Sequence, residues 1–358
     1  MKHSVTPLIV FDEKFTGPSS GIIEASTNST SASTGFIVEP EKIHPGTSRP
    51  KDFDQFWKKE KEKLRSLSIE VKTISKVEIS NGFSCVDLEI NCSGPKPVRG
   101  YFAKPVSARR KSLPIVLSLH AAGVKGSWCR SKPETALQYA QMEKGALCFD
   151  LNAHGMLNGQ SNEYYSNLEN GALKDYYFQG MENRNDFYFH GMYLRLMRTL
   201  DFLTSQPEWD GKRILVIDES QGGGQALAAA GLDKRVGAVV ATVPAMCDWG
   251  GTFKGFKGGW PQPFEHGGDQ ENQLATLPYF DNAHLLKNSK ATILVEIGLI
   301  DVTCPSTSVY AAINQAKGKK IILAVPYRPH HAPSNYQKET WENTIYKHKE
   351  NFIRKYLK

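Results

Sequence analysis

At 358 residues the chain is too long for one small module, and it holds one large domain or one domain with a small extension. Its 40% hydrophobic and 23% charged residues are ordinary for a folded globular protein, and no apolar run reaches the roughly 18 residues of a membrane-spanning helix. The net charge of +7 is spread among acids, as in "FWKKEKEKLR" (56–65), which reads as the solvated face of a helix and not as a nucleic-acid-binding stripe.

The start, "MKHSVTPLIVFDEKF", has a short apolar patch cut off by two charges and makes a poor signal peptide. The cytoplasm is therefore the expected compartment, with export left open. Residues 17–35 are rich in Gly, Ser and Thr and read as exposed strand and loop, or as a linker. Pro50 and Asp52 then signal the start of a helix running to about Leu67. Alternating stretches at 71–80, 84–93 and 97–105 predict an antiparallel meander.

After Leu113 the pattern changes. "PIVLSL" (114–119) is continuously apolar, as in a strand buried on both faces. Similar runs occupy 146–151, 213–218, 236–242, 291–297 and 320–325, with helical patterns between them, clearest at 187–206. The tail 346–358 reads as an amphipathic end helix. Strands alternating with helices predict an α/β fold: a doubly wound, mostly parallel sheet with helices on both faces and an N-terminal antiparallel meander. Cysteines 85, 92, 129, 148, 247 and 304 form no CxxC pair or zinc-like cluster; most sit in apolar runs and read as buried free thiols.

In such sheets, sites form just past the carboxyl ends of strands. "VIDESQGGGQA" (216–226) runs from an apolar strand through a serine into a Gly/Ala-rich helix. That is the layout of a nucleophile elbow, G-x-S-x-G, with Gly222 present and Asp218 where the first glycine belongs. Ser220 is the candidate nucleophile, and the N–H of Gln221, at the helix start, faces a developing oxyanion. The bland alternative makes Ser220 an N-cap. Asp301, in "GLIDVTCP", and His330, in "VPYRPHH", each follow a later strand, which gives the α/β-hydrolase order Ser, Asp, His. Ser220 would attack, His330 would move its proton, and Asp301 would orient the imidazole. His331 is the alternative base. A metal at the His330–His331 pair is disfavoured, because adjacent side chains seldom face one ion together. The second oxyanion donor is expected in "HAAGVKGSW" (120–128), at the N–H of Ala122. His120 reads as a structural histidine bonded to a loop carbonyl, and His154-Gly155 as loop architecture.

These landmarks resemble the acetyl xylan esterase / cephalosporin-C deacetylase family of carbohydrate esterases. The resemblance runs from about Pro45 to the C-terminus, through "RPKDFDQFW" (49–57), "RGYFAKP" (99–105), "ESQGGGQAL" (219–227), "VPAMCDW" (243–249), "LPYFDNAHL" (277–285), "IGLIDVTCP" (297–305) and the P-x-x-x-H from Pro326 to His330. It implies Ser220, Asp301 and His330 as the triad and the N–H groups of Ala122 and Gln221 as the oxyanion pair. It also implies removal of acetyl groups from xylo-oligosaccharides and similar small acetylated compounds, by ring-like homo-oligomers whose sites open to an internal cavity. The chain departs from the family pattern at four places. Arg-Gly-Gln becomes Asn152-Ala153-His154, His-Gly-Tyr becomes His120-Ala121-Ala122, Gly-His-Glu becomes Pro329-His330-His331, and Gly-x-Ser becomes Asp218-x-Ser.

The expected activity is thus a serine esterase working through an acyl-enzyme on a small acetylated saccharide, with no metal or organic cofactor and no nucleic-acid or membrane partner. Its rivals are an esterase for another acyl or alcohol group and a catalytically impaired, carbohydrate-binding hydrolase scaffold. Residues 1–40 are taken as an N-terminal extension, a candidate remnant of a β-domain, and 41–358 as the esterase domain.

Overall fold

The structure is a computed structural model that describes residues 13–29, 31–77 and 82–358. The start of the chain, on which the leader reading rested, and the end of the expected strand 71–80 lie outside the described residues. In chain order the elements are β1 (Ser19–Ser26), β2 (Ser31–Val38), α1 (Phe53–Ser66), β3 (Val71–Val77), β4 (Phe83–Ile90), β5 (Val98–Pro105), β6 (Leu113–Ser118), α2 (Pro133–Ala140), β7 (Leu147–Leu151) and α3 (Asn162–Asn170). They continue with α4 (Tyr188–Ser205), β8 (Trp209–Glu219), α5 (Gln221–Leu232), β9 (Ala238–Thr242), α6 (Gln270–Thr276), α7 (Asn282–Leu285), β10 (Thr292–Gly298), α8 (Ser306–Ile313), β11 (Lys320–Val325), α9 (Asn335–Trp341) and α10 (Lys347–Leu357).

One sheet of nine strands carries the fold, in the order β11-β10-β9-β8-β6-β7-β5-β4-β3. The pairs from β11 to β7 are parallel, and β5, β4 and β3 add the expected meander in antiparallel pairing. The central strands are apolar throughout because both faces are covered. Along β6, Ile115 and Leu117 enter the core beneath α4 and α5, while Val116 enters a second core beneath α2 and α10. The strand at 320–325 departs from expectation. As the edge strand β11 it alternates between exposed and half-buried positions up to a buried Val325, since it has one sheet neighbour and one open side.

α1 begins within a residue of its predicted start, and it buries Phe53, Phe56, Trp57 and Leu64 on one face. α5 is buried on nearly every side, which its Gly/Ala composition permits: a Cβ at Gly224 would stand 2.3 Å from the carbonyl oxygen of Ala245. The Gly/Ser/Thr-rich stretch is strand and not linker. β1 and β2 form an antiparallel hairpin, held to the main domain where Gly35 N donates to the Pro326 carbonyl at 2.7 Å. All six cysteines are free, and all but Cys92 are buried. Among the described residues no helix is long and apolar enough to cross a membrane.

Candidate active site

β8 and α5 meet at Ser220, whose φ of 56° and ψ of −120° are forced on a non-glycine residue by its surroundings. Its N–H donates to Thr242 O at 2.9 Å, and its carbonyl accepts from the N–H groups of Gly224 and Ala245, each at 2.9 Å. The side chain makes no capping bond to α5, so the N-cap reading falls. It turns the other way: Ser220 Oγ lies 2.9 Å from His330 Nε2.

His330 Nδ1 is 2.8 Å from Asp301 Oδ2. The other carboxylate oxygen, Oδ1, accepts from Thr303 N and Cys304 N, both at 2.8 Å, so the acid is fixed at both ends. Three strand ends thus supply the line of contacts, with Ser220 after β8, Asp301 after β10 and His330 after β11. His331 is exposed and takes part through its carbonyl, which accepts from Arg328 Nη1. Asp301, Cys304 and His330 bring three potential metal-ligand atoms within 4.8 Å of one another. Both imidazole nitrogens and both carboxylate oxygens of that group are engaged in the contacts above.

Gln221 is the first residue of α5, so its N–H has no carbonyl one turn back in the helix. Ala122 lies in the loop that follows β6. Tyr176 ties these two segments together. Gly123 N donates to its hydroxyl at 3.4 Å, and the hydroxyl donates to Gln221 Oε1. His154 backs the same loop, with Nε2 2.9 Å from Gly123 O and Nδ1 2.7 Å from the Tyr188 hydroxyl. Burial pushes the His154 imidazole down to about 4, so it is neutral, as a loop brace should be. Arg195 adds a further brace by donating from Nη2 to Ala153 O at 2.8 Å.

His120 bonds the backbone of Trp128 in its own loop, as expected, and it has a second partner in a carboxylate: Nε2 lies 3.0 Å from Asp150 Oδ2. Burial alone would lower its pKa; the charge and hydrogen bond of Asp150 outweigh that and raise it to about 9. Asp218, beside it, is raised to about 7 by burial, with the His120 charge pulling the other way. The carboxyl replaces the usual elbow glycine without breaking the turn, because Oδ1 accepts from Glu219 N at 2.7 Å.

Sequence reasoning missed Tyr176, Asp150 and Arg328. Tyr176 sits in a stretch without periodicity. Asp150 ends β7, and that position was the available signal. Arg328, in "PYRPHH", looks like an ordinary surface charge, yet it is 1% exposed. A cavity of about 850 Å³ beside α4, lined in part by Arg99, His190 and Arg195, includes none of Ser220, Asp301 and His330 in its walls.

Comparison with known proteins bears on this geometry. The family profile for acetyl xylan esterase (AXE1) matches residues 39–349. The chain is 31% identical over 317 residues to the acetyl esterase Axe7A of Xylanibacter ruminicola, covering 84% of this chain and 69% of that protein. Among solved structures it resembles the acetyl xylan esterase from Paenibacillus sp. R4, with a TM-score of 0.70 and 26% identity over 89% of this chain and 99% of the other. Acetyl xylan esterase 1 from Thermoanaerobacterium sp. JW/SL YS485 shares the fold, with a TM-score of 0.66 and 20% identity over 89% and 98% of the two chains. With an α/β-hydrolase sheet and matches across most of its length, the chain belongs to the acetyl xylan esterase family and is a carboxylic ester hydrolase.

Proposed function

We propose that the chain removes acetyl groups from acetylated saccharides, xylo-oligosaccharides foremost, through an acetyl-enzyme at Ser220. The observation that carries this reading is the unbroken contact line Ser220 Oγ–His330 Nε2–His330 Nδ1–Asp301 Oδ2, at 2.9 and 2.8 Å.

In the acylation step Ser220 Oγ attacks the acetyl carbonyl carbon while His330 Nε2 takes the hydroxyl proton. Asp301 holds Nδ1–H toward itself, which leaves Nε2 free to accept and then stabilises the imidazolium. The oxyanion rests on the N–H groups of Gln221 and Ala122. His330 next returns the proton to the departing sugar oxygen. Water, deprotonated by the same imidazole, then attacks the acetyl carbon, and acetate leaves as His330 returns that proton to Ser220 Oγ. His331 is not the base in this reading, since its ring is turned to solvent.

A chromogenic acetate ester, assayed with the wild-type chain and with Ser220→Ala, tests the reaction; equal rates would overturn it. Acetate release from acetylated xylo-oligosaccharides, with little from longer-acyl esters, tests the substrate. We also propose a homo-oligomer, supported by the family resemblance and measurable as molar mass by light scattering. The division into an extension at 1–40 and an esterase domain is supported by the family match, which begins at residue 39.

A further inference from the structure

Three strand ends meet at one buried guanidinium. Arg328 lies in the turn between β11 and His330 and is 1% exposed. Its Nη1 donates to the carbonyl of His331. Its Nη2 donates to Glu219 Oε1 at 3.0 Å, on the residue that precedes Ser220. Its Nε stands 3.1 Å from Glu296 Oε1, an ion-pair contact without hydrogen-bond alignment, on the strand that leads to Asp301.

Glu296 is wholly buried and is itself anchored. Trp341 Nε1 donates to Oε1 at 2.6 Å and Lys349 Nζ donates to Oε2, so α9 and α10 close the cluster from behind. The charges balance: Glu219 and Glu296 against Arg328 and Lys349. Trp341 also offers its ring face to the cation, 5.3 Å from the guanidinium carbon.

We propose that Arg328 is a positioning residue for the esterase reaction, a clamp that sets His330 against Ser220 and Asp301. Its own backbone precedes the base, and its Nη1 holds the residue after it, so the main chain is fixed on both sides of the imidazole. The same planar group reaches the strands of the nucleophile and the acid. A lysine ammonium is a point charge without this fork, and it cannot serve the three directions together. The proposal rests on the triad reading above.

The test is turnover per active site in Arg328→Lys, with sites counted by stoichiometric phosphonylation of the serine and the rate read on an acetate ester. We expect kcat per titrated site to fall about 10–100-fold, as for a sub-ångström to ångström misplacement, with KM nearly unchanged. Guanidinium added to Arg328→Ala should restore part of the loss. A merely structural role would lower the number of titratable sites and leave turnover per site intact, and that result overturns the clamp. Should neither variant fold, Glu219→Ala decides, since it removes only the half-exposed acceptor of Nη2: a lowered per-site kcat supports the clamp and an unchanged one overturns it. Ser220→Ala with wild-type turnover would instead sink the triad reading, and the clamp with it; an inactive Ser220→Ala beside an unaffected Arg328→Lys sinks the clamp alone.

Discussion

The side chain of Asp218 stands directly against Gly222, where an added Cβ would lie 2.6 Å from Asp218 Cβ and 2.9 Å from the backbone nitrogen of His120. The extra carboxyl at the elbow is accommodated because the next turn of chain carries no side chain. Gly222→Ala is therefore expected to lose about 1–3 kcal/mol of stability by overpacking, together with most activity. Thermal denaturation measures it. The double variant Asp218→Gly/Gly222→Ala should recover only part, since the His120 backbone remains in the way; full recovery would contradict this account.

Asp218 also makes stability depend on pH. Burial raises its pKa from 3.8 to about 7. Between those values the folded chain keeps a proton that the unfolded chain has released, so stability falls as pH rises. The contribution is whole below about 4 and gone once pH passes about 7. Asp218→Asn does not titrate. Its Tm relative to wild type should rise from pH 5 to pH 8, whereas a constant difference would show that the carboxyl is not held protonated.

The two adjacent histidines should separate cleanly. His330→Ala is expected to lose about 10⁶ in kcat, as does removal of the base of a nucleophile–base–acid set. His331→Ala should stay within a few-fold, because its hydrogen bond is through its carbonyl and its exposed ring meets His330 only edge-on, at 5.6 Å. Asp301→Asn, which favours the wrong tautomer, should lose less, about 10⁴. Steady-state hydrolysis of an acetate ester measures all three.

Tyr176→Phe removes one hydroxyl that joins Gly123 N to Gln221 Oε1. A hydrogen bond of this kind is worth about 1 kcal/mol net, so kcat should fall about 5–10-fold with little change in KM. An unchanged kcat would mean that the loop after β6 and the start of α5 hold their places without this link.

What the sequence disclosed follows from the range of the interactions. Strand, serine and Gly/Ala helix are contiguous between residues 213 and 232, and their local chemistry dictates the elbow, so Ser220 and its neighbours were readable. Asp301 and His330 were readable because each follows a continuous apolar run, and the sheet gathers such strand ends at one rim. The carboxylate partner of His120 was not, because Asp150 reaches it only when β6 and β7 pair. Arg328 was hidden for the same reason: Glu219 is 109 residues away along the chain. The exposure of β11 depends on its being last in the sheet, a fact of strand order that no local run of Ile and Leu records.

β9 lies between the strand that bears the serine and the strand that leads to the aspartate, yet it offers no reacting group. It takes the serine's N–H on Thr242 O, and the next residue, Val243, gives its own N–H to Glu296 O. With strands about 4.8 Å apart, it acts as a shim that fixes the gap the imidazole must bridge. Rate tuning in this enzyme is then to be sought as much in the thickness and height of that silent spacer as in groups that ever meet an ester.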